Sequence, residues 1–233
     1  MTSTTTVALR AMRLLQFGDS MLPVGAFAFS NGVESAVQEG VVRDAATLKE
    51  FVATALEQAA SCDGIALLVA HRAARADDID SVIVADRAIL VRKLNEEGRT
   101  MALRMGRKLA ELAAHVAALP FLMRWRSVVE TDAARGTYPA TLGVVGAALG
   151  LDECEVFTTH QYGVATMMVS AALRLMRLSH LDGQALIFAL NAGVDAAYED
   201  ASRASLDDMA TFAPMADILA AAHVKAHVRL FMS

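Results

Sequence analysis

Apolar residues recur at steps of three and four along most of the chain, the spacing that places them on one face of an α-helix. The clearest stripe runs from Met101 to Leu119 and stops at Pro120, and another, from Leu48 to Ala60, has charged residues on its opposite face. Short groups of polar residues, glycine or proline separate the stripes. This pattern predicts an all-α fold, a single-domain helical bundle of roughly ten helices.

Several other apolar runs have the length and spacing of helices. They cover residues 9–17, 62–76, 79–94, 157–178, 184–198 and about 215–230. Between residues 124 and 138 the pattern loosens, so no helix is predicted there. Gly143, Gly146 and Gly150 lie in an apolar run, and their lack of a Cβ indicates a close helix crossing in the core.

The chain contains no internal repeat and no long linker, so we expect one domain rather than two. The helical domain is predicted to span residues 9–214. A flexible N-terminus is predicted at residues 1–8, and a separate C-terminal segment at residues 215–233.

Composition narrows the classes of function. Alanine accounts for 46 residues against 4 prolines, which favours helices. Charged residues make up only 20% of the chain, whereas about a quarter is usual. With a net charge of −5, the sequence is not typical of a nucleic-acid-binding protein. The low charge indicates instead that some apolar surface faces another protein.

The sequence also predicts a cytoplasmic protein with no membrane segment. Its start is rich in threonine and lacks the basic-then-apolar order of a signal peptide, and the longest charge-free run, 156–173, is broken by polar residues at 158–161. Cys62 and Cys154 are far apart, which fits a reduced compartment better than a disulfide scaffold.

No phosphate-binding loop, dinucleotide fingerprint, serine-hydrolase elbow or zincin motif occurs in the sequence. We therefore expect no catalytic residues and no stably bound cofactor. Two alternatives to an interaction protein stay open. His223 and His227, with His160 or His180 brought near by folding, are compatible with a small helical metal-binding protein. The all-α pattern also allows a ligand-responsive helical regulator.

A distinctive motif near the N-terminus reads Leu22-Pro23-Val24-Gly25-Ala26-Phe27-Ala28-Phe29-Ser30-Asn31-Gly32-Val33-Glu34. Its leucine, proline, glycine, serine and glutamate positions resemble the N-terminal signature of the urease accessory protein F family. Agreement continues at Glu96-Glu97-Gly98-Arg99, at Asp182, Gly183 and Gln184, and at the closing Arg229-Leu230-Phe231-Met232-Ser233. The resemblance covers nearly the whole chain.

The resemblance implies a non-enzymatic scaffold or chaperone that assists the insertion of nickel into urease. Such a protein works in a complex with the accessory GTPase UreG and with accessory protein UreD, also called UreH, through which it reaches apo-urease. The resemblance further implies an all-α homodimer that couples GTP hydrolysis to nickel delivery. Nickel is then handled by the complex and is not a cofactor of this chain.

The resemblance also implies roles for individual residues. It places Glu34 and Arg174 on the side of the GTPase. On the UreD/UreH side it places four residues of the C-terminal segment, which is expected to order on that partner: His223, Lys225, Arg229 and Phe231. In the N-terminal motif, Leu22, Pro23, Gly25, Ser30 and Gly32 are expected to shape the backbone. Glu34 is equally suited to the first turn of a helix, and Arg174 to a snorkelling surface cation.

Overall fold

A computed structural model of the chain describes residues 6–211, 213–223, 230 and 231. This part of the chain forms a single all-α domain without a strand, so the predicted fold class is confirmed. Its α-helices are α1 (Val7–Gly18), α2 (Val33–Gln38), α3 (Ala45–Gln58), α4 (Ile65–Arg75), α5 (Ile79–Arg92), α6 (Glu96–Ala117), α7 (Pro120–Glu130), α8 (Tyr138–Leu149), α9 (Glu153–Leu175), α10 (His180–Asn191), α11 (Val194–Arg203) and α12 (Pro214–His223).

Polar side chains fix where several helices begin. Asp44 accepts a hydrogen bond from the Thr47 amide at 2.8 Å in a capping box at the start of α3. Asp78 and Asn95 cap α5 and α6 in the same manner. Each cap satisfies an amide that has no partner within its helix, which stabilises the helix by about 1 kcal/mol. These caps explain why the breaks between amphipathic stripes fall where they do.

Helices α3 and α4 form one continuous rod, Ala45–Arg75, in which residues Ala59–Gly64 are π-helical. The sequence predicted two separate helices here, an amphipathic one at 48–60 and a nearly all-apolar one at 62–76. A π-helical turn accommodates an extra residue and rotates the faces that follow. The rod contains a window apolar enough to span a membrane, but 61% of that window is buried within the fold, as in a core helix.

The main core forms where α4 packs against α8 at very short distance. A Cβ on Gly143 would lie 2.4 Å from the Leu67 carbonyl oxygen, and one on Gly146 would lie 2.2 Å from Cγ2 of Val156. The predicted close crossing is therefore confirmed at these two glycines, whereas Gly150 ends α8 in the left-handed conformation (φ +76°).

A second, smaller core is separate from the main one. It is built from apolar side chains of α2, α3, the C-terminal half of α9, α10 and α12, together with Phe231. The rod Ala45–Arg75 contributes its first half to this second core and its second half to the main core. The N-terminal motif and the end of the chain therefore share one apolar cluster.

Three predictions about helix boundaries were wrong. Residues 124–130 of the segment in which no helix was predicted belong to α7, because Pro120 begins that helix at its first position, where a proline costs no hydrogen bond. The predicted helix 184–198 is two helices that break near Gly193. The helix predicted to begin at residue 184 begins at His180, so Asp182 and Gly183 lie in the first turn of α10 and Gln184 follows them.

The Gly143 contact can be tested by adding one methyl group. We expect Gly143→Ala to destabilise the fold by about 1–3 kcal/mol, because the new Cβ cannot avoid the backbone of α4. Gly163→Ala, within α9, is the matched control: apart from its chain neighbours and the backbone of its own helix, no atom lies within 4 Å of its added Cβ. The free energy of unfolding of this control should rise by about 0.5–1 kcal/mol. Urea unfolding followed by circular dichroism measures both, and equal stability of Gly143→Ala and the wild type would contradict the packing described.

Candidate functional site

The N-terminal motif folds into a tight loop that leads into α2. Its backbone reaches positive φ at Gly25 (+89°), Asn31 (+50°) and Gly32 (+82°), a region that favours glycine and tolerates asparagine. Ser30 is fully buried, and its Oγ accepts a long hydrogen bond of 3.5 Å from the Glu34 amide. Gly32 lies against α12, since a Cβ there would be 3.5 Å from the Ala216 carbonyl oxygen. This loop sets the direction in which α2 begins.

Glu34, in the first turn of α2, is buried with 2% of its surface exposed. Its Oε1 accepts a hydrogen bond of 2.7 Å from the Leu230 amide, and its Oε2 accepts one of 3.1 Å from the Phe231 amide. Hydrogen bonds to an ionised carboxylate are about twice as strong as those between neutral groups. A single side chain of the N-terminal motif thus binds backbone groups near the end of the chain.

Arg174, on α9, also contacts Phe231, through its side chain. Its guanidinium carbon lies 4.0 Å from the ring centroid of Phe27 and 4.0 Å from that of Phe231. The same guanidinium donates hydrogen bonds to the Phe27 carbonyl oxygen (3.3 Å) and the Ser170 carbonyl oxygen (3.2 Å). Partial burial lowers the pKa of Arg174. A cation between two aromatic faces is attracted to both, by about 0.5–1 kcal/mol for each exposed pair.

We call Phe27, Glu34, Arg174, Leu230 and Phe231 the tail-docking site. Phe231 is its anchor, because its side chain is only 5% exposed and belongs to the second core. The family resemblance assigned Glu34 and Arg174 to one partner and Phe231 to another, whereas here the three residues form one cluster. No role was predicted for Phe27, and its only signal in the sequence is an aromatic residue inside the N-terminal motif.

The remaining residues singled out in the sequence lie elsewhere or outside the described residues. Lys225, Arg229 and His227 are outside them, as is the side chain of His223, whose backbone ends α12. Ser179 caps α10 by accepting a hydrogen bond from the Asp182 amide. Gly183 packs close to Val169 and Leu173 of α9, and Gln184 is exposed. The other motif residues, Leu22 and Pro23, form the turn that follows α1.

A cavity of about 130 Å³, which we call the chamber, lies beside the tail-docking site. It is lined by residues of the loop after α1, the π-helical turn, the first half of α6, the start of α8 and the middle of α9. Phe27 and Arg174 line it at one end. Its wall also carries polar side chains, among them Asp63, Lys93 and His160.

The polar groups of the chamber are arranged around an ion pair. Lys93 Nζ lies 2.6 Å from Oδ2 of Asp63, which projects from the π-helical turn. Burial lowers the pKa of Lys93, but attraction to Asp63 outweighs that effect and the pKa lies above its ordinary value. Burial lowers the pKa of His160 to about 4 and raises that of Tyr138 to about 12. At neutral pH, His160 and Tyr138 are therefore uncharged.

The described residues contain no group of three or more histidine, cysteine or acidic side chains able to hold a metal ion. Cys62 adjoins Asp63 in sequence, and burial raises the pKa of its thiol to about 12, which makes it a poor nucleophile and a poor ligand. His160 is buried within α9, and His180 lies in the first turn of α10.

Comparison with known proteins identifies relatives of the whole chain. Residues 42–191 match the family model described as UreF. A protein of Yersinia enterocolitica named urease accessory protein UreF is 55% identical over 94% of this chain and 96% of its own length. Proteins of the same name from Yersinia pestis and Yersinia pseudotuberculosis are 54% identical over the same shares.

The bond between Glu34 and the tail can be tested by removing one carboxylate oxygen. In Glu34→Gln the new amide group cannot accept from one of the two backbone N–H groups. We expect hydrogen exchange of the Leu230 and Phe231 amides, followed by NMR, to become at least about tenfold faster. Glu39→Gln is the control, because Glu39 ends the same helix and is exposed. Unchanged exchange in Glu34→Gln would contradict the contact.

Burial of neutral His160 predicts a pH dependence of stability. Between the ordinary pKa of about 6.5 and the folded value of about 4, the unfolded chain binds a proton that the folded chain excludes. The stability that depends on a neutral His160 is fully present above about pH 6.5 and is lost as the pH falls toward 4. Between about pH 7 and about pH 5, the free energy of unfolding of His160→Gln should therefore fall by roughly 2 kcal/mol less than that of the wild type.

Urea unfolding at several pH values measures this difference. His180→Gln, at an exposed histidine, should keep the wild-type slope. Burial also lowers the pKa of His71, but His71 contributes equally to all three proteins. If the free energy of unfolding depends on pH in the same way in His160→Gln and the wild type, burial does not keep His160 neutral.

Proposed function

The chain belongs to the UreF family of urease accessory proteins, and from this we propose that it serves as a scaffold in the assembly of the nickel centre of urease. In this proposal it links the GTPase UreG to UreD/UreH, which contacts apo-urease, and it couples GTP hydrolysis to nickel delivery. Members of the family are accessory proteins and not enzymes. The identity of 55% over 94% of the chain is the observation that carries the proposal.

The tail-docking site supports a role in joining two partners. Phe231 and the residues next to it are the part of the chain that we assign to UreD/UreH. They are held by Glu34 and Arg174, the residues that we assign to the GTPase side. Because Arg174 is exposed, it can contact UreG directly. Because Glu34 is buried, it acts on UreG indirectly, by fixing the position of the tail.

In such an arrangement, binding of UreD/UreH can change the surface that UreG contacts. If UreD/UreH takes hold of the C-terminal segment 215–233, including His223, Lys225 and Arg229, the contacts at Arg174 change with it. A ligand can shift an equilibrium only by its different affinity for the two states. Phe231, docked in one state and bound by the partner in the other, supplies that difference.

Exposed apolar residues support a homodimer. On α10, Leu181 and Phe188 are 83% and 82% exposed, and their spacing of seven residues places them on the same face of the helix. An apolar face of this kind can pack against the same face of a second copy, as a two-fold interface requires. We propose that the dimer works in the cytoplasm, with nickel as its cargo and without a stably bound cofactor. No observation on the described residues favours the helical regulator or the metal-binding protein over this function.

The proposal is tested with the full chain, its cognate UreD/UreH and UreG, and apo-urease. Wild-type protein should form a complex with both accessory proteins and raise the nickel content and activity of urease. Phe231→Ala should bind UreD/UreH at least about tenfold more weakly, because a buried aromatic anchor is lost. Arg174→Gln should keep UreD/UreH and lose UreG, while Arg177→Gln, at a nearby exposed arginine, should behave as the wild type.

Two results would overturn the proposal. One is a wild-type protein that forms no complex with either accessory protein. The other is full urease activity and full nickel content in cells that lack the chain. Retention of UreG by Arg174→Gln with the rest intact would overturn only the role given to Arg174.

A further inference from the structure

The chamber is open to solvent, and most of the residues that line it are apolar. They include three methionines and several other large apolar side chains: Met101, Met105, Met167, Phe17, Leu22 and Val24. Methionine is flexible and polarisable, so it adapts to apolar groups of different shapes. An open, mostly apolar pocket with a few polar groups is the usual form of a small-molecule site in proteins.

One cation in the wall of the chamber has no carboxylate partner. Four charged residues line the chamber, and two of them, Asp63 and Lys93, pair with each other at 2.6 Å. The third, Asp19, accepts a hydrogen bond of 2.8 Å from the Met21 amide. The fourth, Arg174, forms no ion pair with any described residue, and no neighbouring carboxylate offsets the burial that lowers its pKa. The unmatched positive charge of the chamber is therefore at Arg174.

The guanidinium of Arg174 is held in place with donors to spare. The rings of Phe27 and Phe231, each with its centroid 4.0 Å from the guanidinium carbon, fix its position. Two of its five N–H groups donate to the carbonyl oxygens of Ser170 and Phe27, which leaves three without a partner among the described residues. A carboxylate is the anion that accepts two such N–H groups side by side.

The free space suits a short apolar chain. The accessible volume is about 130 Å³, and one water needs about 10–15 Å³, so the chamber has room for roughly ten water-sized groups. Gly163 of α9 also lines the chamber. Apart from its chain neighbours and the backbone of its own helix, no atom lies within 4 Å of a Cβ added there. A side chain at this position would therefore extend into the open space.

We propose that the chamber binds a small amphipathic carboxylate. Its apolar chain lies against the methionines of the wall, and its carboxylate accepts hydrogen bonds from the free N–H groups of Arg174. Each half of the ligand then meets the chemistry that favours it: burial of the chain releases water from apolar surface, and the carboxylate pairs with an unmatched cation. This inference goes beyond the proposed function, because the site lies within this chain and needs no partner protein.

The test uses octanoate as the probe and octanamide as its uncharged analogue. Both are titrated into the full chain, labelled with ¹³C at the methionine methyl groups and observed by NMR. Octanoate should shift the signals of Met101, Met105 and Met167, while the signal of Met123, exposed on α7, should stay in place. Octanamide should bind at least about tenfold more weakly, because it lacks the charge that strengthens the hydrogen bonds to Arg174.

Variants assign the two halves of the ligand to their contacts. Arg174→Gln should bind octanoate at least about tenfold more weakly and should no longer distinguish it from octanamide, whereas Arg177→Gln, at a nearby exposed arginine, should behave as the wild type. Gly163→Leu, whose side chain fills the chamber, should weaken both ligands by a similar factor. Circular dichroism and urea unfolding check that each variant is folded.

Three results would each overturn the proposal. The first is that octanoate, below the concentration at which it forms micelles, shifts no methionine signal or shifts Met123 as much as the methionines of the chamber. The second is that octanamide binds the wild type as tightly as octanoate. The third is that Arg174→Gln keeps the wild-type affinity for octanoate. If Gly163→Leu does not fold, the comparison of the two ligands in the wild type still decides.

Discussion

The buried carboxylate of Glu34 is the contact on which the arrangement around the second core depends. It is placed by a loop that needs positive φ at Gly25 and Gly32, and it accepts the amides of Leu230 and Phe231, 196 and 197 residues away in sequence. Removing a carboxylate from water is costly unless its oxygens are satisfied. The tail amides meet part of that requirement, so Glu34 and the tail stabilise each other's positions.

Arg174 extends this contact to two other parts of the protein. Its hydrogen bond to the Phe27 carbonyl ties the N-terminal loop to α9, and its stacking between Phe27 and Phe231 ties that loop to the tail. Phe27 and Arg174 also line the chamber, whose wall includes the ion pair of Asp63 and Lys93.

The sequence predicted the fold well where helices are amphipathic, as in α5 and α6, because periodicity reports directly on which face is buried. It failed at α7, since a proline both ends one helix and begins the next, and at the break near Gly193, where the apolar spacing continues across the gap. The resemblance singled out Glu34, Arg174 and Phe231 one by one. Their meeting was not predictable, because contacts across more than 50 residues leave no local pattern.

The continuous rod Ala45–Arg75 has a consequence for how the protein unfolds. Its first half packs in the second core and its second half in the main core, with the π-helical turn between them. If either core loses its packing, half of the rod becomes exposed, while the other half of the same helix is still needed by the other core. The two cores should therefore melt as one cooperative unit, and the region that binds the tail inherits the stability of the whole domain.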